Sequence, residues 1–160
     1  MFNIGEIIEK LRKEAEALEY ELRVELPKEI GAAVAQGDLS ENAEYESAKE
    51  RQSTILARIS QINERIQELS RIRTEDIPRD RVSLGSTVYV EEMNTGEKRR
   101  FIIVPHEAMD GNPDYISMNS PIAKALIGTR PGDEVYVKIP RGEFEYYVER
   151  VVTYHGDVLE

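Results

Sequence analysis

The chain contains no cysteine, no tryptophan and only two histidines. Without cysteine it has neither a disulfide framework nor a thiolate metal site. The histidines, His106 and His155, lie in separate turn or strand-end contexts with no second ligand at helical spacing, and both read as ordinary polar residues. The sequence also lacks a long apolar run. MFNIGEIIEKLRKEAEALE meets acidic residues at once, so it is neither a signal peptide nor a membrane span. No glycine-rich loop ends in Lys-Ser or Lys-Thr, and no serine sits in a nucleophile elbow. A self-contained enzyme is therefore not expected. Positive charge is scarce as well: 21 Lys and Arg face 31 Asp and Glu, a formal net charge of −10. Such a chain does not bind phosphate backbones broadly, and any contact with nucleic acid should be local or come through a protein partner. A cytoplasmic location is the expectation.

What is present is strong helical periodicity in the first half. Ile4, Ile8, Leu11, Ala15, Leu18 and Leu22 follow by alternating steps of four and three, as do Ile55, Ile59, Ile62, Ile66 and Leu69. This is the seam pattern of a coiled coil. Gly37-Asp38 is the one turn signal between the two runs, so the spacing predicts an antiparallel helical hairpin with arms of roughly 45–50 Å. Pro27 removes a backbone donor within the first arm and should kink the helix or start a new segment. From about Thr74 the pattern changes. TEDIPRDR reads as a linker, and beyond it short β-branched and aromatic runs alternate with turn residues: Ser86–Val90, Arg99–Val104, Tyr115–Met118, Glu134–Ile139 and Glu145–Tyr154. One short helix fits Ser120–Gly128, with Ser120 as N-cap, Pro121 in the first turn and Gly128 as the stop. The expected class is α+β. Residues 1–74 form an antiparallel coiled-coil hairpin, 75–82 a linker, and 83–160 a small domain of mostly antiparallel strands with one short helix.

The turn itself, GDLSENAEYESAKERQ (Gly37–Gln52), carries more acid than a turn needs. Asp38 can cap the second helix, with Glu41 reaching back three residues later to complete a capping box. The same geometry puts two carboxylates on one side of an exposed tip, where they can share one Mg²⁺ whose remaining ligands come from elsewhere. Pairing the arms through the heptad positions matches Glu14 with Arg65 and Glu21 with Arg58, and sets Lys28 against Arg51. Lys28, Lys49 and Arg51 would then form a small basic patch below the acidic tip. That patch is either a phosphate-holding surface or a solvated face of mixed charge.

GDLSENAEYESAKERQ closely resembles the tip motif of the bacterial GreA/GreB family of transcript cleavage factors. ISMNSPIAKALIG and PGDEVYVKIPRGEFEYYVERV resemble that family's C-terminal FKBP-like domain. The resemblance covers essentially the whole chain, and the small basic surface places it on the GreA side of the family. It implies a partner, RNA polymerase, whose secondary channel the coiled coil enters when the enzyme has backtracked. It also implies an activity, stimulation of the polymerase's own cleavage near the 3′ end of the nascent RNA. Asp38 and Glu41 match the tip acids that help hold a Mg²⁺ jointly with the polymerase and orient the attacking water. Lys49 matches a basic position directed at the RNA, to which the pairing argument adds Arg51 and Lys28. Ser120, Pro121 and Ile122 are the candidate polymerase contact of the second domain, although Ser120-Pro121 also serves to start a helix. Between Pro27 and Gly37 the chain is about one helical turn shorter than typical family members, so the arms near the tip should pair differently. Two alternatives stand beside this reading: a homologue that occupies the channel without promoting cleavage, and a coiled-coil adaptor or chaperone.

Overall fold

The computed structural model describes residues 2–35, 37 and 42–160. They fall into two compact units, Asn3–Ile72 and Arg73–Glu160, the second of which also holds Phe2.

The first unit is the helical hairpin. Its first arm opens with α1 (Ile4–Tyr20), capped by Asn3, whose side chain accepts a hydrogen bond from the Glu6 amide at 3.1 Å. The arm continues through a π turn (Glu21–Glu25) into α2 (Leu26–Ala35). The second arm is one helix, α3 (Ala43–Ser70), roughly 40 Å long. Its buried residues Ala48, Ile55, Ile62 and Leu69 recur every seventh position, as the heptad pattern requires. Near the turn, Leu26, Ala48 and Ile55 form a buried cluster, with Leu18, Leu22, Ile30 and Ile59 packed around it.

As expected at Pro27, a new segment starts there: the π turn ends at Glu25 and α2 begins at Leu26. The Leu26 amide donates to the Glu21 carbonyl five residues back, and the backbone stays right-handed helical on both sides. A wider turn just before the proline eases the clash that its ring makes with a carbonyl one turn earlier. It also solves a phasing problem. Leu18, Leu22, Leu26 and Ile30 are spaced by fours, and each step of four overshoots an α-helical turn by about 40°. The extra residue in the π turn takes up that drift and returns Leu26 to the seam.

The interhelical ion pairs lie one heptad away from the expected register. Glu14 pairs with Arg58 and Glu21 with Arg51, whereas Arg65 pairs with Glu68 on its own helix. Arg51, Arg58 and Arg65 are spaced by seven, so sliding one arm by a heptad leaves the charge pattern unchanged. At the turn the arms are joined by a hydrogen bond from the Asn42 side chain to the Ala33 carbonyl.

The second unit is a six-stranded sheet: β1 (Thr87–Glu92), β2 (Lys98–Val104), β3 (Tyr115–Ser117), β4 (Glu134–Ile139), β5 (Gly142–Val152) and β6 (Val158–Leu159). The order is β3-β2-β1-β5-β4, with β6 also pairing β5. The α+β class and the mostly antiparallel pairing hold, with one parallel pair, β2 with β3. Two strands need a crossover to lie parallel, and the segment containing a 3₁₀ turn at His106–Ala108 provides it. Between Tyr89 and Val90 the β1–β5 register shifts by a bulge. One face buries Val88, Val90, Phe101, Ile103, Tyr146, Val148 and Val151. The short helix α4 (Pro121–Leu126) buries Ala123 and Leu126 and is followed by Gly128 at φ 92°, the left-handed stop that glycine allows. Residues 75–82 do not form a free linker. Ile77 and Val82 are buried, Val82 is hydrogen-bonded to Thr129 and Gly128, and His155 Nε2 lies 2.9 Å from the Ile77 carbonyl. An apolar residue at each end of this charged stretch is enough to fold it onto the sheet unit.

Candidate functional site

At the turn of the hairpin, Gly37 adopts φ 115°, a conformation open to glycine and strained for other residues. The second arm starts at Asn42. Its Oδ1 accepts from the Tyr45 amide at 3.0 Å, and its Nδ2 donates to the Ala33 carbonyl across the hairpin at 2.8 Å. One side chain thus caps α3 and ties the end of α2 to it. The expected Asp38–Glu41 capping box is therefore corrected: the cap of this helix is Asn42, and Glu44 and Glu46 supply the acid that suits its first turn. Asp38 and Glu41, with Leu39 between them, lie outside the described residues. Asn42 was missed by sequence reasoning, although Asn is among the best caps and two acids follow it within four residues.

Below the turn, Arg51 makes two hydrogen bonds to Glu21, at 2.7 and 2.9 Å, and Arg58 makes the same fork to Glu14, at 2.9 Å for each bond. Through these bonds chiefly, the guanidinium groups hold both carboxyls below the usual carboxylate range, and Glu21 in turn raises the pKa of Arg51. The expected juxtaposition of Lys28 with Arg51 is absent, because Arg51 is engaged with Glu21, two turns of helix before Lys28. Lys28 is exposed on α2. Lys49 is exposed on α3 and donates to Gln52 Oε1 at 2.9 Å. An open groove of about 680 Å³ runs beside the turn, lined by Glu21, Glu29, Glu44, Arg51 and small residues such as Ala32 and Ala48. Its carboxylates outnumber its one arginine, so this flank is acidic and the basic candidates do not converge there.

In the sheet unit, Ser120 Oγ accepts from the Ala123 amide at 3.2 Å and so caps α4; Pro121 beside it is exposed and Ile122 half-buried. Among the described residues no three His, Asp or Glu side chains converge as metal ligands, and no helix is long and apolar enough to cross a membrane.

Two family models divide the chain at the same place as the fold. One, described as the N-terminal part of a transcription elongation factor, matches residues 5–71; the other, described as the C-terminal part of GreA/GreB, matches residues 77–153. The chain belongs to the GreA/GreB family of transcription elongation factors. Relatives include the elongation factors GreA of Nautilia profundicola, 43% identical over 89% of this chain and 88% of that one. GreA of Anaeromyxobacter sp. strain K is 42% identical, over 89% and 86%. Among solved structures, GreA factor homolog 1 of Thermus thermophilus matches with 28% identity and a TM-score of 0.40, covering 90% of this chain and 93% of that one. As a GreA-like factor the chain is an accessory of transcription elongation. Gly37–Gln52 lies in the middle of the N-terminal family region, residues 5–71.

Proposed function

We propose that this elongation factor binds RNA polymerase, inserts the end of its hairpin into the secondary channel and stimulates the polymerase's own cleavage of backtracked RNA near the 3′ end. The observation that carries the reading is the sequence Gly37–Gln52, with Asp38 and Glu41 in the turn between two long arms. Both side chains offer hard oxygen donors, the ligand type that Mg²⁺ takes. Two carboxylates leave most of an octahedral shell unfilled, so the polymerase and the RNA phosphate would supply the rest. Held by Asp38 and Glu41 together with the polymerase, such an ion would supply Lewis-acid stabilisation of charge on the phosphodiester oxygens. The chain's own contribution is placement. Asn42 fixes the start of α3 immediately after Glu41, and the Glu21–Arg51 pair holds the arms together below it. On the RNA side, Lys49 and Lys28 are exposed cations, whereas Arg51 joins them only by leaving Glu21. Ser120, Pro121 and Ile122 are the proposed polymerase contact of the sheet unit, and exposed Pro121 is the member best placed to touch it.

The test adds the protein to backtracked elongation complexes and measures release of short 3′ RNA fragments. Fragments that depend on Mg²⁺ are expected, and Asp38→Asn or Glu41→Gln should remove most of them while polymerase binding persists. Binding without fragments at any Mg²⁺ concentration would leave a channel-occupying factor that does not promote cleavage.

A further inference from the structure

The arginines of the sheet unit fall into two groups. Arg73, Arg79, Arg81, Arg100 and Arg130 each pair with a carboxylate. Among the described residues, Arg99, Arg141 and Arg150 pair with none, and each lies over an aromatic ring instead. Their guanidinium carbons sit 4.9 Å from the centroid of Phe101, 5.6 Å from Phe144 and 4.2 Å from Tyr89, respectively. Among the described arginines of this unit, those without a carboxylate partner are the minority, and all three are placed against rings.

Two of the three share one aromatic cluster. Tyr146 meets Phe101 edge-on at 5.5 Å and stacks parallel to Phe144 at 6.1 Å. Phe101 and Tyr146 are buried, while Arg99 is half-exposed and Arg141 exposed. Strand alternation puts Arg150 and Tyr89 on the other face of the sheet. Inside the cluster, the Tyr146 hydroxyl is fully buried; Arg99 is close enough to interact with its oxygen, but no acceptor meets its proton. Burial pushes its pKa up, and Arg99, Glu92 and Arg141 are near enough to act on it electrostatically. Buried hydroxyls are normally satisfied, so this one is a donor awaiting an acceptor. Glu92, paired with Tyr146 in the strand register, is buried as well.

We infer that Arg99 and Arg141, over the aromatic floor of Phe101, Tyr146 and Phe144, form a docking site for an acidic segment of a partner protein. A guanidinium stacked on a ring is held flat with its N–H edge directed outward, which suits bidentate capture of a carboxylate. A carboxylate drawn in beside Arg99 also gives the Tyr146 hydroxyl an acceptor. A nucleic-acid strand fits less well. The faces on which bases would stack are occupied by guanidinium groups. The site is independent of the cleavage reading, since it involves no residue of the hairpin.

The test titrates the ¹⁵N-labelled full-length protein with a synthetic twelve-residue peptide of alternating Glu and Ala. A Gln-for-Glu peptide and a single-stranded oligonucleotide of equal length serve as comparisons. Saturable shifts of the Arg99 and Arg141 Nε–H signals are expected with the Glu peptide alone. Arg99→Gln combined with Arg141→Gln should weaken binding about tenfold or more. Arg150→Gln, on the opposite face, should leave it unchanged. Arg141→Gln alone, in an exposed turn, keeps the test valid if the double variant misfolds. Equal response to the Gln peptide, tighter binding of the oligonucleotide, or unchanged affinity in the Arg141 variant would overturn the assignment.

Discussion

Asn42 joins two tasks that are usually separate, capping α3 and holding the Ala33 carbonyl of the opposite arm. Asn42→Ala should therefore lose both bonds and destabilise the hairpin by about 1–2 kcal/mol, read from urea unfolding followed at the helix band. Asn42→Asp keeps the capping oxygen but cannot donate to Ala33, so it should fall between the two. Sequence reasoning chose Asp38 as the cap, through a capping box with Glu41, and passed over Asn42. A capping box is a local pattern, whereas the bond to Ala33 is a contact between arms and leaves no local trace. Arg51 carries the same lesson. Its position suited a basic patch, and only the register reveals its bidentate bond to Glu21. Arg51→Ala should thus lower the melting temperature of the hairpin, whereas Lys49→Ala should leave it unaltered and weaken cleavage mainly in deeply backtracked complexes. Equal melting temperatures for the two variants would mean that the Glu21 pair contributes nothing to the hairpin.

Among the elements, the arms were the most legible part of the chain, because buried positions every seventh residue point to one kind of packing. Their register was not, since arginines spaced by seven fit several alignments equally. The π turn was illegible for a different reason: no residue type marks it. Its trace is the run of fours from Leu18 to Ile30, which becomes meaningful only beside Pro27. That pairing is testable. Removing Val24 from the turn restores steps of four and three but leaves the proline in a plain α-helix, so the deletion alone should cost about 3 kcal/mol. The same deletion with Pro27→Ala should recover most of that loss in the same urea experiment. No recovery would show that the wide turn serves something other than phase and proline. In the sheet, the turn residues delimited five of the six strands, while β6 was too short to show alternation. The parallel β2–β3 pair depends on how the chain returns, which strand composition does not encode.

For the whole molecule, acid is the weak direction. Glu14 and Glu21 in the hairpin and Asp80 and Asp157 in the sheet unit have folded-state pKa values below their ordinary ones, chiefly through hydrogen bonds to Arg58, Arg51, Arg130 and Thr153. A depressed carboxyl binds fewer protons folded than unfolded. Its contribution is thus complete above the unfolded value and disappears as pH falls through the folded one. Melting temperature should be nearly flat from neutral down to about pH 5 and fall below about pH 4. The fall should be shallower for Arg51→Gln with Arg58→Gln, which lack the hairpin pairs.

The sheet order carries a consequence for synthesis. β1 stands at the centre with β2 on one side, and its other neighbour, β5, leaves the ribosome about fifty residues after it. Contacts along the helical hairpin are complete once residue 72 has emerged, whereas the central strand keeps one edge open until β5 arrives. The factor should therefore be born in two stages, with the arms formed early and the sheet closed only once β5 has emerged. A nascent chain arrested after β4 would display folded arms and an unpaired β1, the segment on which a chaperone would act.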